Sequence, residues 1–192
     1  MNILNSLVCA VLICATPWAA AQPLELGGFK VAQTVRIEPV DTALTLQGGY
    51  VRRYFFRSTT SYALYTAEPL HSFDALASAR SPKRMVVTVL MKQFTGEQFR
   101  SGWREQFEQS LSAPARQSLA REIETFLGTF ETLSHGEQLS FDAIPGVGLH
   151  MSLRGELKRV IAGDAFALAL FSVWLGPNSV DAGLRSALLG PP

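Results

Sequence analysis

Cysteine is nearly missing from this chain. Among its 192 residues only Cys9 and Cys14 carry a thiol. Both lie in the N-terminal apolar stretch. A domain built from the remainder has no disulfide, no thiol nucleophile and no sulfur ligand for a metal. Its stability must come from a packed core. At about 170 residues that is feasible, because a domain of this size buries about 70% of its surface. Charge is also scarce: 17% of residues are charged and the formal net charge is +1. That leaves no basic footprint for nucleic acid, and no nucleic-acid partner is expected. A hydrophobic content of 47% is not the composition of a disordered chain. No internal repeat or low-complexity tract is visible.

The usual catalytic and cofactor motifs are missing as well. His71, His135 and His150 show no metal-ligand spacing, so no metal site is expected. Ser140 and Ser152 lack the flanking glycines of a nucleophile elbow. Gly146-Val147-Gly148 has no third glycine and falls between strands, so it is not a dinucleotide fingerprint. No P-loop and no other cofactor motif is found, and no catalytic residue is assigned. Asp142, Asp164 and Asp181 read as a solvated strand edge and two helix starts rather than an acid pair.

The N-terminus has the pattern of an export signal. Leu4 to Ala15 is apolar apart from Asn5 and Ser6, and Pro17, Trp18 and Ala19-Ala20-Ala21 follow. Ala19 and Ala21 give the small-x-small pattern of a cleavage site, which places cleavage after Ala21. The expectation is a signal peptide over 1–21 and one domain over 22–192, exported to a periplasm. The apolar stretch is short for a membrane span. A retained anchor is the other reading. After cleavage no stable membrane insertion is expected.

The remaining chain falls into three stretches. Residues 28 to 92 are strand-rich. Val31 to Ile37 alternates in part, and Pro39 with Asp41 marks a turn. After a polar loop, Ser78 to Lys83, the run Arg84 to Met91 reads as a buried strand. The second stretch is helical. Thr95-Gly96-Glu97-Gln98 is a capping box, and Phe99, Trp103 and Phe107 then recur on one helical face. Ser112-Ala113-Pro114 breaks and restarts the helix. Leu119, Ile123, Phe126, Leu127 and Phe130 form the next apolar stripe. In the third stretch, Gln138–Ile144, Leu149–Leu153 and Leu157–Ile161 read as an antiparallel meander. A helix capped by Asp164 and closed by Gly176 follows, then a last helix capped by Asn178 or Ser179. Runs of strands and runs of helices argue an α+β fold: a large antiparallel sheet with helices packed on one face.

The run Arg52-Arg53-Tyr54-Phe55-Phe56-Arg57-Ser58-Thr59-Thr60-Ser61-Tyr62-Ala63-Leu64-Tyr65 carries the most functional information. It contains no Gly or Pro and reads as one long strand. Side chains alternate along a strand, so Arg52 and Arg53 point to opposite faces. In one reading their stems only cover apolar surface. In the other, one guanidinium lies at the end of a cleft and grips an anionic head group, with hydroxyls of Thr60 or Tyr62 beside it. On a single extended strand, Arg52 and Thr60 would be roughly 26 Å apart at ~3.3 Å per residue, too far to share a head group without a bend.

Several segments, in order, resemble the chalcone-isomerase-like family in its bacterial exported branch. Gly48-Gly49-Tyr50-Val51-Arg52 resembles a Gly-rich turn before a cleft-facing Arg. Tyr62-Ala63-Leu64-Tyr65 resembles the next strand, and Thr95-Gly96-Glu97-Gln98-Phe99 the helix start. Pro145-Gly146-Val147-Gly148 resembles the hairpin, and Trp174-Leu175-Gly176 with Leu188-Leu189-Gly190 the C-terminal helices. The resemblance implies an open-faced β-sandwich with a ligand cleft between sheet and helices. In the plant enzymes an Arg, a Thr, a Tyr, an Asn and a second Ser/Thr line that cleft and cyclise a chalcone to a flavanone. Here Arg52 matches the Arg and Thr60 the Thr. The Tyr falls on Phe99, the Asn on Gln106 and the last Ser/Thr on Val173.

Two polar contacts are thereby lost and one is altered, and a site built on hydrogen bonds discriminates strongly against such losses. The expectation is an apolar cleft lined by Phe99, Trp103, Val173 and Phe56, with Arg52 at its end and Tyr54 or Tyr62 as a second contact. Gln106, Phe99 and Trp103 also have plain structural readings, as a helix-surface amide and as core aromatics. The expected ligand is a hydrophobic small molecule, a fatty acid or a polyphenol-like anion, bound by a monomer without efficient chalcone cyclisation. An isomerase (intramolecular lyase) acting on another substrate, and a scaffold with a filled core, are the other readings.

Overall fold

The computed structural model describes residues 24–179 and 181–190. The expected signal segment, its cleavage site and both cysteines lie outside the described residues. In chain order the elements begin with β1 (Glu25–Leu26), β2 (Phe29–Lys30), β3 (Thr34–Ile37), β4 (Thr42–Tyr54) and β5 (Arg57–Thr66). Helix α1 (Phe73–Ser78), β6 (Lys83–Val89) and β7 (Gln93–Phe94) follow, then α2 (Gly96–Ser110), α3 (Ala113–Ser118) and α4 (Ala120–Leu127). The chain continues with β8 (Leu133–Ser134), β9 (Gln138–Ile144), β10 (Gly148–Leu153) and β11 (Glu156–Ala162), and ends in α5 (Asp164–Leu175) and α6 (Ala182–Leu189).

Seven strands form one antiparallel sheet in the order β11-β10-β9-β6-β5-β4-β3. The expected α+β architecture is therefore present. β6 and β9 are neighbours although α2, α3 and α4 lie between them in sequence. Those helices, with α5 and α6, cover one face of the sheet: α5 packs over β9, β10 and β11, and α6 over β4. Strand alternation builds that face. Tyr62 and Leu64 of β5, Met85 and Val87 of β6, and Leu139 and Phe141 of β9 all join the helix-side core. From the helices come Phe99, Trp103 and Phe107 of α2, Phe126 of α4 and Trp174 of α5. Their rings pack at centroid distances such as 5.2 Å for Trp103–Trp174 and 5.0 Å for Trp103–Phe126. Burying each such side chain contributes about 1.5–3 kcal/mol. The opposite face has a smaller core, where Ala63 and Tyr65 of β5 meet Leu26, Ile37 and Leu44 of the N-terminal segment.

The capping box of α2 forms as expected: Gln98 N donates to Thr95 Oγ1 at 3.1 Å, and Thr95 N to Gln98 Oε1 at 2.8 Å. Other expectations need correction. Arg52 to Tyr65 is not one strand. It is a hairpin that reverses at Phe55-Phe56, with Tyr54 paired to Arg57. Phe55 takes φ +54°, a conformation normally supplied by Gly or Asn, so no turn residue marked the reversal. Gly48 and Gly49 are not a turn but lie inside β4. A Cβ on Gly48 would stand 2.5 Å from the Ala187 carbonyl oxygen, and one on Gly49 2.7 Å from Leu26 Cδ1. They let α6 and the N-terminal segment approach β4 from opposite faces.

Helix α1, capped by Ser72, fills the segment before the polar loop. Asp164 does not cap α5, whose N-cap is Gly163. Its carboxylate instead accepts from Gly146 N at 2.9 Å and ties down the β9–β10 turn. Asp181, not Asn178 or Ser179, caps α6 through Leu184 N at 2.9 Å. Asp142 is no solvated edge: it is 4% exposed in mid-sheet and accepts from Arg84 on the neighbouring strand, with Nη2–Oδ2 at 2.7 Å.

Candidate functional site

The hairpin that replaces the long strand brings Arg52 and Thr60 together. They are direct cross-strand partners on β4 and β5, not residues separated by the length of a strand. Both face the helices, where a cleft of about 300 Å³ opens between sheet and α2. That is the lower end of the range for small-molecule sites. Thr60, Tyr62, Val87, Leu139 and Phe141 form its sheet side. One face of α2, with Gln98, Phe99, Gly102, Trp103 and Gln106, forms the other. Arg53 and Tyr54 stand on its rim.

Six of the seven expected site residues, Arg52, Thr60, Tyr62, Phe99, Trp103 and Gln106, therefore line one cleft. Val173 does not. It is 1% exposed within α5 and absent from the lining. Phe56 is no lining residue either; it is 99% exposed at the hairpin tip. Tyr54 reaches the cleft only at its rim and is otherwise exposed.

Arg52 is the charged centre of the cleft. Its Nε donates to Asp181 Oδ2 at 3.1 Å, with about a quarter of the arginine side chain exposed. Its guanidinium carbon stands 5.1 Å from the centre of the Tyr62 ring, within reach of a cation–π attraction. Among the described residues its two terminal amino groups donate to no protein acceptor. They remain as a planar fork of the kind that matches a carboxylate. The Thr60 hydroxyl donates to Tyr62 Oη at 3.3 Å. Tyr50, on the same face of β4, has its phenol held above the ordinary value, first by burial and then by the Asp181 carboxylate.

Most of the remaining lining is apolar and aromatic. Phe99 stacks on Phe130 at 5.0 Å and meets Phe94 at 4.3 Å. The ring at this position offers no hydroxyl. Gln106 donates to Gly102 O within its own helix at 3.2 Å, while its Oε1 is buried with no partner among the described residues. Gly102 leaves a gap in the wall: a Cβ there would meet nothing within 4 Å. Gly102 and Asp181 are the two residues that sequence reading missed. Gly102 shared a helical face with Phe99, Trp103 and Gln106. Asp181 was legible only as a helix start. Among the described residues no group of three or more His, Cys, Asp or Glu could hold a metal ion, and no helix is long and apolar enough to cross a membrane.

An antiparallel sheet with helices over one face, and a cleft between them that carries Arg52 with Arg53 on its rim, define the class. The chain belongs to the chalcone isomerase-like family, whose family model matches residues 23–190. Among solved structures, the fold is similar to that of a fatty-acid binding protein of Arabidopsis thaliana. The two are 11% identical, with a TM-score of 0.61, and the match covers 82% of this chain and 96% of that one. No curated protein matches the chain.

Proposed function

We propose that this protein binds a hydrophobic small molecule with an anionic head group, a fatty acid or a polyphenol-like anion, in the cleft between sheet and α2. The observation that carries this reading is an aromatic-walled cleft with Arg53 on its rim and Arg52 on its sheet side, the terminal amino groups of Arg52 being free of protein acceptors among the described residues. Apolar lining supplies affinity and a few placed polar groups fix orientation. The Thr60–Tyr62 hydroxyl pair supplies the neighbouring polar contact. Family membership and the fatty-acid binding neighbour support a ligand of this class.

Efficient chalcone cyclisation is not part of the proposal. Phe99 has no hydroxyl to offer, and Val173 lies outside the cleft lining. Export to a periplasm, by a signal cleaved after Ala21, belongs to the same proposal and is supported by the apolar run and the small-x-small pattern at residues 19–21.

The direct test is a titration of a fluorescent fatty-acid analogue into wild type and Arg52→Ala. Affinity should fall by roughly 1.5–3 kcal/mol, the range for a hydrogen bond to a charged group. Unchanged affinity removes Arg52 from the site.

A further inference from the structure

The β4–β5 hairpin ends in aromatic side chains that belong to no core. Tyr54, Phe55 and Phe56 are 71%, 81% and 99% exposed. The loop has two residues, Phe55 and Phe56, between the paired Tyr54 and Arg57. Phe55 sits at φ +54°, a sign of φ that such loops assign to glycine or asparagine. A phenylalanine there is strained by its backbone, and its exposed ring gains no core packing. Neither turn chemistry nor burial therefore accounts for the Phe-Phe pair. The Tyr54 and Phe55 rings meet edge-to-face at 4.8 Å on the outside of the molecule.

The exposed charged side chains of the hairpin and of the hollow beside it have one sign. Arg53, Arg57 and Lys92 are exposed, and no acidic residue occurs between Asp41 and Glu68. Tyr54 and Arg57 share a hollow with Lys92, and Arg53 and Tyr54 also stand on the rim of the ligand cleft. Aromatic rings favour the boundary between head groups and acyl chains. Basic residues beside them are drawn to an anionic leaflet and keep their charges at its surface.

We propose that this hairpin tip docks the protein on an anionic lipid bilayer, with Phe55 and Phe56 at the head-group boundary and the mouth of the cleft beside the membrane. The docking rests on the tip alone and does not depend on what the cleft binds. It is peripheral, made by a loop and not by a span.

The test places a reporter at the tip of the full chain. Phe56→Trp is mixed with vesicles of phosphatidylcholine and phosphatidylglycerol carrying brominated acyl chains. The unsubstituted chain supplies the background from Trp18, Trp103 and Trp174. Leu157→Trp, an exposed position of β11 at one edge of the sheet, is the comparison. Quenching depends on the depth of the reporter itself, so another membrane contact elsewhere in the chain does not imitate it. The Phe56→Trp emission should shift to the blue and be quenched several-fold more than that of Leu157→Trp. The quenching should fall several-fold in vesicles of phosphatidylcholine alone. Equal quenching at both positions, no quenching, or quenching indifferent to phosphatidylglycerol overturns the proposal. So does a blue shift without vesicles that grows with protein concentration, which would place a second copy on the tip.

Discussion

Arg52 and Asp181 show why the identity of one residue does not define a site. The arginine was legible as a candidate from its strand and its neighbours. Its partner lies near the far end of the chain, and nothing in local sequence joins the two. Asp181 has two tasks: Oδ1 caps α6 through Leu184 N, and Oδ2 holds Arg52. Its negative charge also opposes any anion drawn to the same guanidinium. Asp181→Asn keeps a side chain that caps well and removes that charge. The proposed reading predicts that a fatty acid binds the variant more tightly by about 1 kcal/mol, roughly fivefold, read by isothermal titration calorimetry. Weaker binding would mean that the Asp181 hold on Arg52 contributes more to the site than its charge costs an anion.

At the scale of elements, periodic and capped segments were legible and irregular ones were not. The capping box and the Phe99, Trp103, Phe107 spacing located α2 because both signals are local. The β9, β10 and β11 meander was legible because Pro145-Gly146 and Gly155 punctuate it. The β4–β5 hairpin was not, because phenylalanine occupies a turn position that glycine normally marks. That single reversal changes the site from two distant residues into a cross-strand pair. Gly48 and Gly49 misled in the other direction, since they serve close packing inside a strand. Gly102 of α2 offers a test that separates folding from binding. It faces the cleft with open space where a Cβ would be. Gly102→Leu should raise stability by about 0.5–1 kcal/mol in urea denaturation, because leucine is the better helix former. It should also abolish binding by filling the cleft. A stabilised variant that still binds would place the ligand elsewhere.

The whole molecule is a sheet used on both faces. Helices cover one face and leave the cleft, while the N-terminal segment packs on the other around Leu26, Ala63 and Tyr65. The class of fold was legible because strands and helices come in runs. The pairing of β6 with β9 was not, because long-range registry leaves no local mark. Native mass spectrometry of the wild-type protein and Arg52→Ala, purified from cells that produce them, decides whether the cleft holds a hydrophobic anion. The expected result is an added mass matching a fatty acid or phenolic acid on the wild type and its loss from the variant. A bare mass for the wild type, with no uptake from a panel of fatty acids and flavonoids, would contradict it.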